Sequence, residues 1–237
     1  MHLKALNDNF LASVDQLGTV KVWNVSSGEA KYTFNLSTGD YPFSVHSPMT
    51  PLNNNLLATS LNEYDILDNL DFLNRYFIKI WDLKTGKLKY RFDETTGGHN
   101  ASIECITLLE NGYLASADSS GVIKIWDLEK FNLKYTFYMK KKVIRLVSLG
   151  HNYIAAGDFE GETRVFDIEL GKFKYSLTGL VQSQPGESFN SNVNDMAELE
   201  NGYLAVAYSG GYIKVWDILN GKLKYYLGEN RPWVILV

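Results

Sequence analysis

The chain has 237 residues, 45% of them hydrophobic and 14% aromatic, enough to bury a large core in one or two domains. A formal net charge of −4, with basic residues dispersed apart from Lys140-Lys141-Lys142, gives no electrostatic ground for binding nucleic acid. The single cysteine, Cys105, excludes an internal disulfide framework; no apolar run nears the roughly eighteen residues of a membrane helix, and the opening MHLKALNDNF has no secretory apolar region, so a soluble cytoplasmic chain is expected.

Taken in order, the chain writes one unit five times, each copy aligned on an aromatic anchor: Trp23, Trp81, Trp126, Phe166 and Trp216. The anchors lie 58, 45, 40 and 50 residues apart, a period near 40 with additions, which marks a repeat architecture. The copies occupy approximately 1–36, 43–93, 101–138, 142–179 and 192–228 of a single domain, 1–237, and 229–237 starts a further unit or supplies a closing strand. In the first copy Gly18 precedes the anchor by five residues, as Gly121, Gly161 and Gly211 do later, and a glycine there admits the positive φ of a tight hairpin turn. In the second, Pro48 and Pro51 interrupt the first strand, and the stretch from Ala58 to the anchor runs twelve residues longer than in the other copies. The third is the clearest, with apolar segments at 103–108, 113–117, 122–128 and 133–137 separated by turn residues. VIKIW and LKYTF alternate with period two and are rich in β-branched and aromatic residues, so the unit is predicted to be a four-stranded antiparallel meander. The fourth carries Phe166 as its anchor and is followed by the turn-rich LVQSQPGESFNSN at 180–192. The fifth nearly repeats the third. In every copy a lysine and a tyrosine follow the anchor by eight and nine residues (Lys31-Tyr32, Lys89-Tyr90, Lys134-Tyr135, Lys174-Tyr175, Lys224-Tyr225); the lysine is read as a guard on an open outer edge.

A lone meander cannot cover both of its faces, whereas five stacked in a row can, with the anchors between neighbouring sheets. The pairs Trp81-Asp82, Trp126-Asp127 and Trp216-Asp217, the variants Trp23-Asn24 and Phe166-Asp167, and Gly98-His99 resemble the WD repeat β-propellers over nearly the whole chain. The resemblance implies an all-β fold, a ring of radial four-stranded antiparallel blades that serves as a platform for protein contacts. Five repeats are detectable, in a ring that is open, closed on itself, or part of a larger six- or seven-bladed propeller. In that family an aspartate six residues before the tryptophan bonds the glycine–histidine histidine. Here the position holds Leu17, Ser120, Glu160 and Gly210, so this network is expected to be incomplete in every blade. Asp15, Asp118 and Asp158, eight residues before their anchors, are expected to cap the turn amides instead. An open ring would expose apolar faces at both ends and favour self-association.

Length varies in the second-to-third and fourth-to-next-first connections, which emerge at the same end of a meander. One face of the ring therefore collects the insertions, and such a face is often the binding face. The stretch NEYDILDNLDFLN at 62–74 carries Glu63, Tyr64, Asp65, Asp68, Asp71 and Phe72, and the spacing of Ile66, Leu67, Leu70 and Leu73 fits a short helix. With Gln182, Gln184, Glu187 and Phe189 of the second inserted loop, and Asp15, Asp118, Asp158 and Tyr208 at the rim, these are the candidate contacts for a protein or peptide partner. No catalytic, cofactor or metal residues emerge: the four histidines sit in different copies and no zinc-site spacing or phosphate loop occurs. Ser116 and His99 can approach each other but lack an orienting acid in the family's position. The expected function is a non-catalytic interaction scaffold with no cofactor, nucleic acid or membrane partner. The alternatives are a small-molecule or enzymatic propeller using the central channel, and a fragment of a larger signalling or adaptor protein.

Overall fold

The computed structural model describes residues 2–7, 9–15, 18–35, 48–53, 55–66, 72–177 and 192–228. They form five four-stranded antiparallel sheets, each with its strands in chain order. Blade 1 holds β1 (His2–Asn7), β2 (Phe10–Val14), β3 (Thr19–Asn24) and β4 (Ala30–Asn35), and blade 2 holds β5 (Met49–Leu52), β6 (Leu56–Ile66), β7 (Phe72–Asp82) and β8 (Lys87–Phe92). Blade 3 holds β9 (Ile103–Leu108), β10 (Leu114–Asp118), β11 (Val122–Asp127) and β12 (Asn132–Tyr138). Blade 4 holds β13 (Val143–Leu149), β14 (Tyr153–Asp158), β15 (Thr163–Asp167) and β16 (Lys172–Ser176), and blade 5 holds β17 (Val193–Leu199), β18 (Tyr203–Tyr208), β19 (Tyr212–Asp217) and β20 (Lys222–Gly228). The first strands stand side by side in order, β1 beside β5, then β9, β13 and β17. Among the described residues β17 and β1 form no flank of comparable extent.

The core lies between blades. Ala115, Ala117, Ile123 and Ile125 of blade 3 pack on Leu146, Ile154, Ala156 and Phe166 of blade 4, and Ala155 and Val165 pack in turn on Met196, Leu204, Val206 and Trp216 of blade 5. The anchor rings of blades 2, 3 and 4 each meet an aromatic ring at or next to the end of the preceding blade's outer strand, Phe34–Trp81 at 4.4 Å, Phe92–Trp126 at 4.5 Å and Phe137–Phe166 at 4.7 Å between centroids, and Leu177 shares the core with Trp216 in blade 5. The aspartate after the anchor has its own task. Asp82, Asp127, Asp167 and Asp217, and Asn24 in blade 1, accept backbone N–H groups from the turn that follows, fixing the third-to-fourth hairpin.

The lysine–tyrosine pair has a structural cause that its spacing did not reveal. In all five blades the pairing of the third and fourth strands slips by one residue at the anchor: Ile125 faces Tyr135 but Trp126 faces Leu133. The residue left over by this bulge is the lysine, in every copy. A bulge bends the strand and re-aims the side chain. Lys134 and Lys174 turn onto the rings of Tyr113 and Tyr153, 4.2 Å from each centroid, and donate to their hydroxyls; Lys31 lies over Phe10 in the same way. The bond to Tyr113 holds Lys134 above the ordinary lysine pKa.

The tyrosine next to it reaches the following blade. The hydroxyls of Tyr32, Tyr90, Tyr135 and Tyr175 donate to the carbonyls of Lys84, Phe131, Glu169 and Ile218, all in the third-to-fourth turn of the next blade. The ring lies against the turn residue with positive φ: Gly86, Gly171 and Gly221 leave room for it, and in blade 3 Phe131 stacks on Tyr90 instead, at 4.5 Å. A Cβ on Gly171 would fall inside the Tyr135 ring, whereas one on Gly28, the same position in blade 1, meets nothing within 4 Å. Both glycines have φ near +70°, so alanine strains either backbone by about 1 kcal/mol. Only Gly171→Ala also forces a junction apart, and in dilute solution its thermal unfolding should show a further loss of about 1–3 kcal/mol relative to Gly28→Ala.

Candidate functional site

The second-to-third turns on the insertion face are built on aspartate. Asp15 Oδ1 accepts the Thr19 N–H at 2.8 Å, Asp118 Oδ1 accepts those of Ser120 and Val122, and Asp158 Oδ1 accepts those of Glu160 and Glu162. Capping is thus observed at all three. Asp118 and Asp158 are buried, as is Tyr208, which holds the same position in blade 5. Asp118 and Asp158 each close their own turn with one carboxylate oxygen, and all three side chains are packed into the blade. Asp15 remains exposed at the rim.

One correction concerns the histidine network, which is complete in blade 3. His99 Nδ1 lies 2.6 Å from Asp118 Oδ2, His99 Nε2 lies 2.7 Å from Ser116 Oγ, and Trp126 Nε1 donates to Ser116 Oγ at 2.8 Å. The acid stands eight residues before the anchor, at the end of β10, where one carboxylate oxygen faces the turn and the other faces inward. Gly98 brings the histidine in, because a Cβ there would fall 2.5 Å from the backbone of Asp93. Burial outweighs the Asp118 contact and holds His99 below the ordinary histidine pKa. Burial pushes Asp118 up, but hydrogen bonds from His99 and Ser120 outweigh it and hold the carboxyl below the ordinary range. A neutral ring protonated on Nδ1 donates to Asp118 and receives the Ser116 hydroxyl proton at Nε2. This is the connectivity of a Ser-His-Asp triad. All three groups are closed off beneath Trp126, and Ser116 already donates once and accepts once, so the arrangement locks the blade and presents no nucleophile to solvent.

The other blades keep parts of it. Trp23 and Trp81 donate to Ser13 and Thr59. Blade 4 replaces serine and tryptophan together with Ala156 and Phe166, while Asp158 stays; burial holds it above the ordinary carboxylate pKa and its Oδ2 has no partner. Blade 5 keeps Trp216 but has Val206 ten residues before it, where blade 3 has Ser116, and the buried indole N–H is unpartnered.

The twelve-residue insertion is not helical where it is described. Leu61 to Ile66 and Phe72 to Phe77 continue β6 and β7 in unbroken antiparallel register, ending at Ile66↔Phe72. Ile66 and Leu73 are thus in strands where the spacing suggested a short helix, and Leu67 and Leu70 lie outside the described residues. Glu63, Tyr64, Asp65 and Phe72 lie on this ribbon. Asp68, Asp71, Gln182, Gln184, Glu187 and Phe189 lie outside the described residues. At the opposite end a cleft of about 360 Å³ opens between blades 1 and 2, lined by Phe10, Tyr32, Leu52, Asn55 and Leu56 among others. Among the described residues no cluster of His, Cys, Asp or Glu could hold a metal, and no helix is long and apolar enough to cross a membrane.

Residues 89–127, from the outer strand of blade 2 to the anchor pair of blade 3, match the family model described as WD domain, G-beta repeat. They contain the one complete network described above. Among solved structures, the C-terminal WD40 domain of Sif2 is similar with a TM-score of 0.71 at 16% identity, over 97% of this chain and 60% of that one. The likeness is one of fold, and this chain spans 60% of that domain's length. A search of curated proteins finds no match.

Two outcomes follow from the polar core. Val206→Thr is nearly isosteric and offers Trp216 an acceptor, so it should raise stability by about 1 kcal/mol in thermal or denaturant melts. The gain should vanish in a Trp216→Phe background. The pH response has a definite sign. An unfolded histidine titrates near 6.5 and folded His99 lower, so the contribution of its neutral ring is complete above 6.5. It is lost progressively as pH falls from 6.5 towards the folded value, by at most about 1.4 kcal/mol per pH unit. Denaturant titrations from neutral pH to about pH 5 should show this slope, and His99→Asn should flatten it. Asp118, held below 3.8, adds its loss only beneath that pH.

Proposed function

We propose that this chain, which carries a WD repeat and takes the fold of a WD40 domain, is a non-catalytic scaffold in the cytoplasm that binds a protein or peptide partner on its insertion face. WD40 propellers generally serve as protein-interaction platforms, and the observation that carries the finer reading is the ribbon of blade 2. β5 pairs with β6 only up to Met49↔Thr59, and β8 pairs with β7 only up to Ile78↔Phe92. Beyond those points Ser60 donates its N–H to the Pro48 carbonyl, and among the described residues no further strand pairs with the ribbon. An open edge of this kind accepts an extended peptide as an added strand, the backbone supplying affinity and the flanking side chains selectivity. Glu63, Asp65, Asp68 and Asp71 give the segment a negative character that favours a basic partner.

The closed-off Ser116 and the capping role of the rim aspartates support a binding role over a catalytic one. Removing residues 63–74 restores the spacing of the other blades. It also leaves Tyr76 five residues before the anchor, where the short turn needs a positive φ, so the deletion is paired with Tyr76→Gly. Affinity capture compared with the intact chain should show loss of bound proteins at an unchanged thermal midpoint. A parallel deletion of 182–191 tests the second inserted loop. Identical captured proteins from the intact chain and both deletions would refute the assignment to this face.

A further inference from the structure

The junction between blades 1 and 2 departs from its equivalents at the end that carries the third-to-fourth turns. A cleft of about 360 Å³ opens there, whereas the corresponding positions at the junction of blades 3 and 4, among them Leu109, Leu149 and Ile168, close with no space for a water. Differences in sequence account for it. In blade 3 the Glu110 N–H donates to Ser148 Oγ and Asn111 Nδ2 donates to Asn152 Oδ1, both at 3.2 Å, which draws the first hairpin onto blade 4. Blade 2 has Pro51 where blade 4 has Ser148, so the first of these bonds has no acceptor. β1 also bulges between Ala5 and Asn7, whereas β9 stays in register with β10 as far as Leu108. Leu6, at the bulge, is half-buried, while Leu109 in the equivalent place is 4% exposed. Val22 lacks the extra methylene of Ile125.

The charge at the rim differs as well. Lys31 and Lys84 line the cleft, one from each blade, and no acidic side chain does so among the described residues. At the next two junctions the outer-strand lysines, Lys89 and Lys134, are followed across the junction by glutamates, Glu129 and Glu169, three residues past the anchor; here that position is Lys84. Lys134 and Lys174 each spend a donor on the hydroxyl of Tyr113 or Tyr153. Phe10 takes that place in blade 1 and offers no hydroxyl, and Lys31 lies 4.6 Å from its ring centroid. The Lys84 backbone is held from both sides, its N–H donating to Asp82 Oδ1 at 2.7 Å and its carbonyl accepting the Tyr32 hydroxyl at 2.6 Å. The lining is otherwise mainly apolar, with Leu6, Val22, Leu52, Leu56 and Leu83, and the amides of Asn53 and Asn55 add polar groups.

We propose that this cleft binds a small amphipathic carboxylate, with its apolar body against the leucines and its charge between Lys31 and Lys84. The volume is that of a ligand-sized cleft, with an apolar lining and a few polar groups to fix orientation. Burial of the apolar body supplies affinity in proportion to its area. Two like charges across a cleft repel each other, and an anion between them turns that repulsion into attraction. The site lies at the opposite end of the blades from the insertion face, so it stands apart from the partner surface proposed above.

Titration of the isotope-labelled chain with hexanoate, octanoate and decanoate below their micelle concentrations, followed by amide chemical shifts, tests this. Saturable shifts should centre on the amides of Leu6, Asn53, Asn55 and Lys84, with affinity rising with chain length. Acetate, which has no apolar body, should give no saturable shift. Octanol, which has no charge, should bind about tenfold or more weakly than octanoate. Lys84→Glu places at this turn the residue that blades 3 and 4 carry there, so the fold is kept, and octanoate should bind it about tenfold or more weakly. Lys31→Met should also weaken octanoate. The absence of a saturable shift with all three carboxylates overturns the proposal, as do shifts scattered beyond the cleft. Equal affinity for octanol and octanoate, or unaltered octanoate binding in Lys84→Glu, overturns it too. Acetate moving the same amides to the same extent would reduce the site to an ion contact and would likewise overturn it.

Discussion

A four-stranded sheet has two faces, and in this chain neither can be shielded by anything but another sheet. That constraint governs the choice of residue at almost every repeated position. Small side chains on one face, such as Ala115 and Ala117, let the next blade's anchor approach, and in blades 2, 3 and 4 the anchor ring then meets an aromatic ring of its predecessor's outer strand. The bulge at each anchor resolves a further conflict. Two adjacent residues on one strand would normally point to opposite faces. Because the lysine drops out of register, it can lie against its own blade while the tyrosine beside it crosses to the neighbour.

The buried indole nitrogen shows how one polar atom can be accommodated in several ways. Ser13, Thr59 and Ser116 accept it, blade 4 removes donor and acceptor together, and blade 5 leaves the donor alone. Removing both partners of a buried hydrogen bond is close to neutral, whereas leaving one behind costs about 1–3 kcal/mol. Blade 4 follows the first rule for Phe166 and Ala156 but retains Asp158, whose inward oxygen is left where Asp118 finds a histidine. The blades are thus alike in backbone and unlike in electrostatic balance, and blade 3 is the one that joins its serine to a buried histidine and aspartate.

Much of this architecture was legible in the sequence because its signals are periodic. The anchors, the turn glycines and the lysine–tyrosine pair recur at fixed offsets, and such offsets survive translation into strands. Three features were not legible. The spacing of Ile66, Leu67, Leu70 and Leu73 fits a helix as well as any short apolar run does, and only pairing with a partner strand distinguishes the two. Asp118 was misjudged because counting residues cannot tell which way each oxygen of a carboxylate points; one atom caps the turn, as expected, and the other completes the network. The bulge was invisible for a similar reason, since a slip present in all five copies leaves their spacing constant.

The ribbon of blade 2 also changes the distances over which the insertion face can act. β6 and β7 have eleven residues each, against five and six for β10 and β11. At roughly 3.4 Å per residue, the extra five or six pairs carry its far end on the order of 20 Å beyond the turns of neighbouring blades. A ligand gripped there stands clear of the other loops by about the width of a small domain. The rim and the ribbon therefore stand at two heights, and a body touching both would have to span that step.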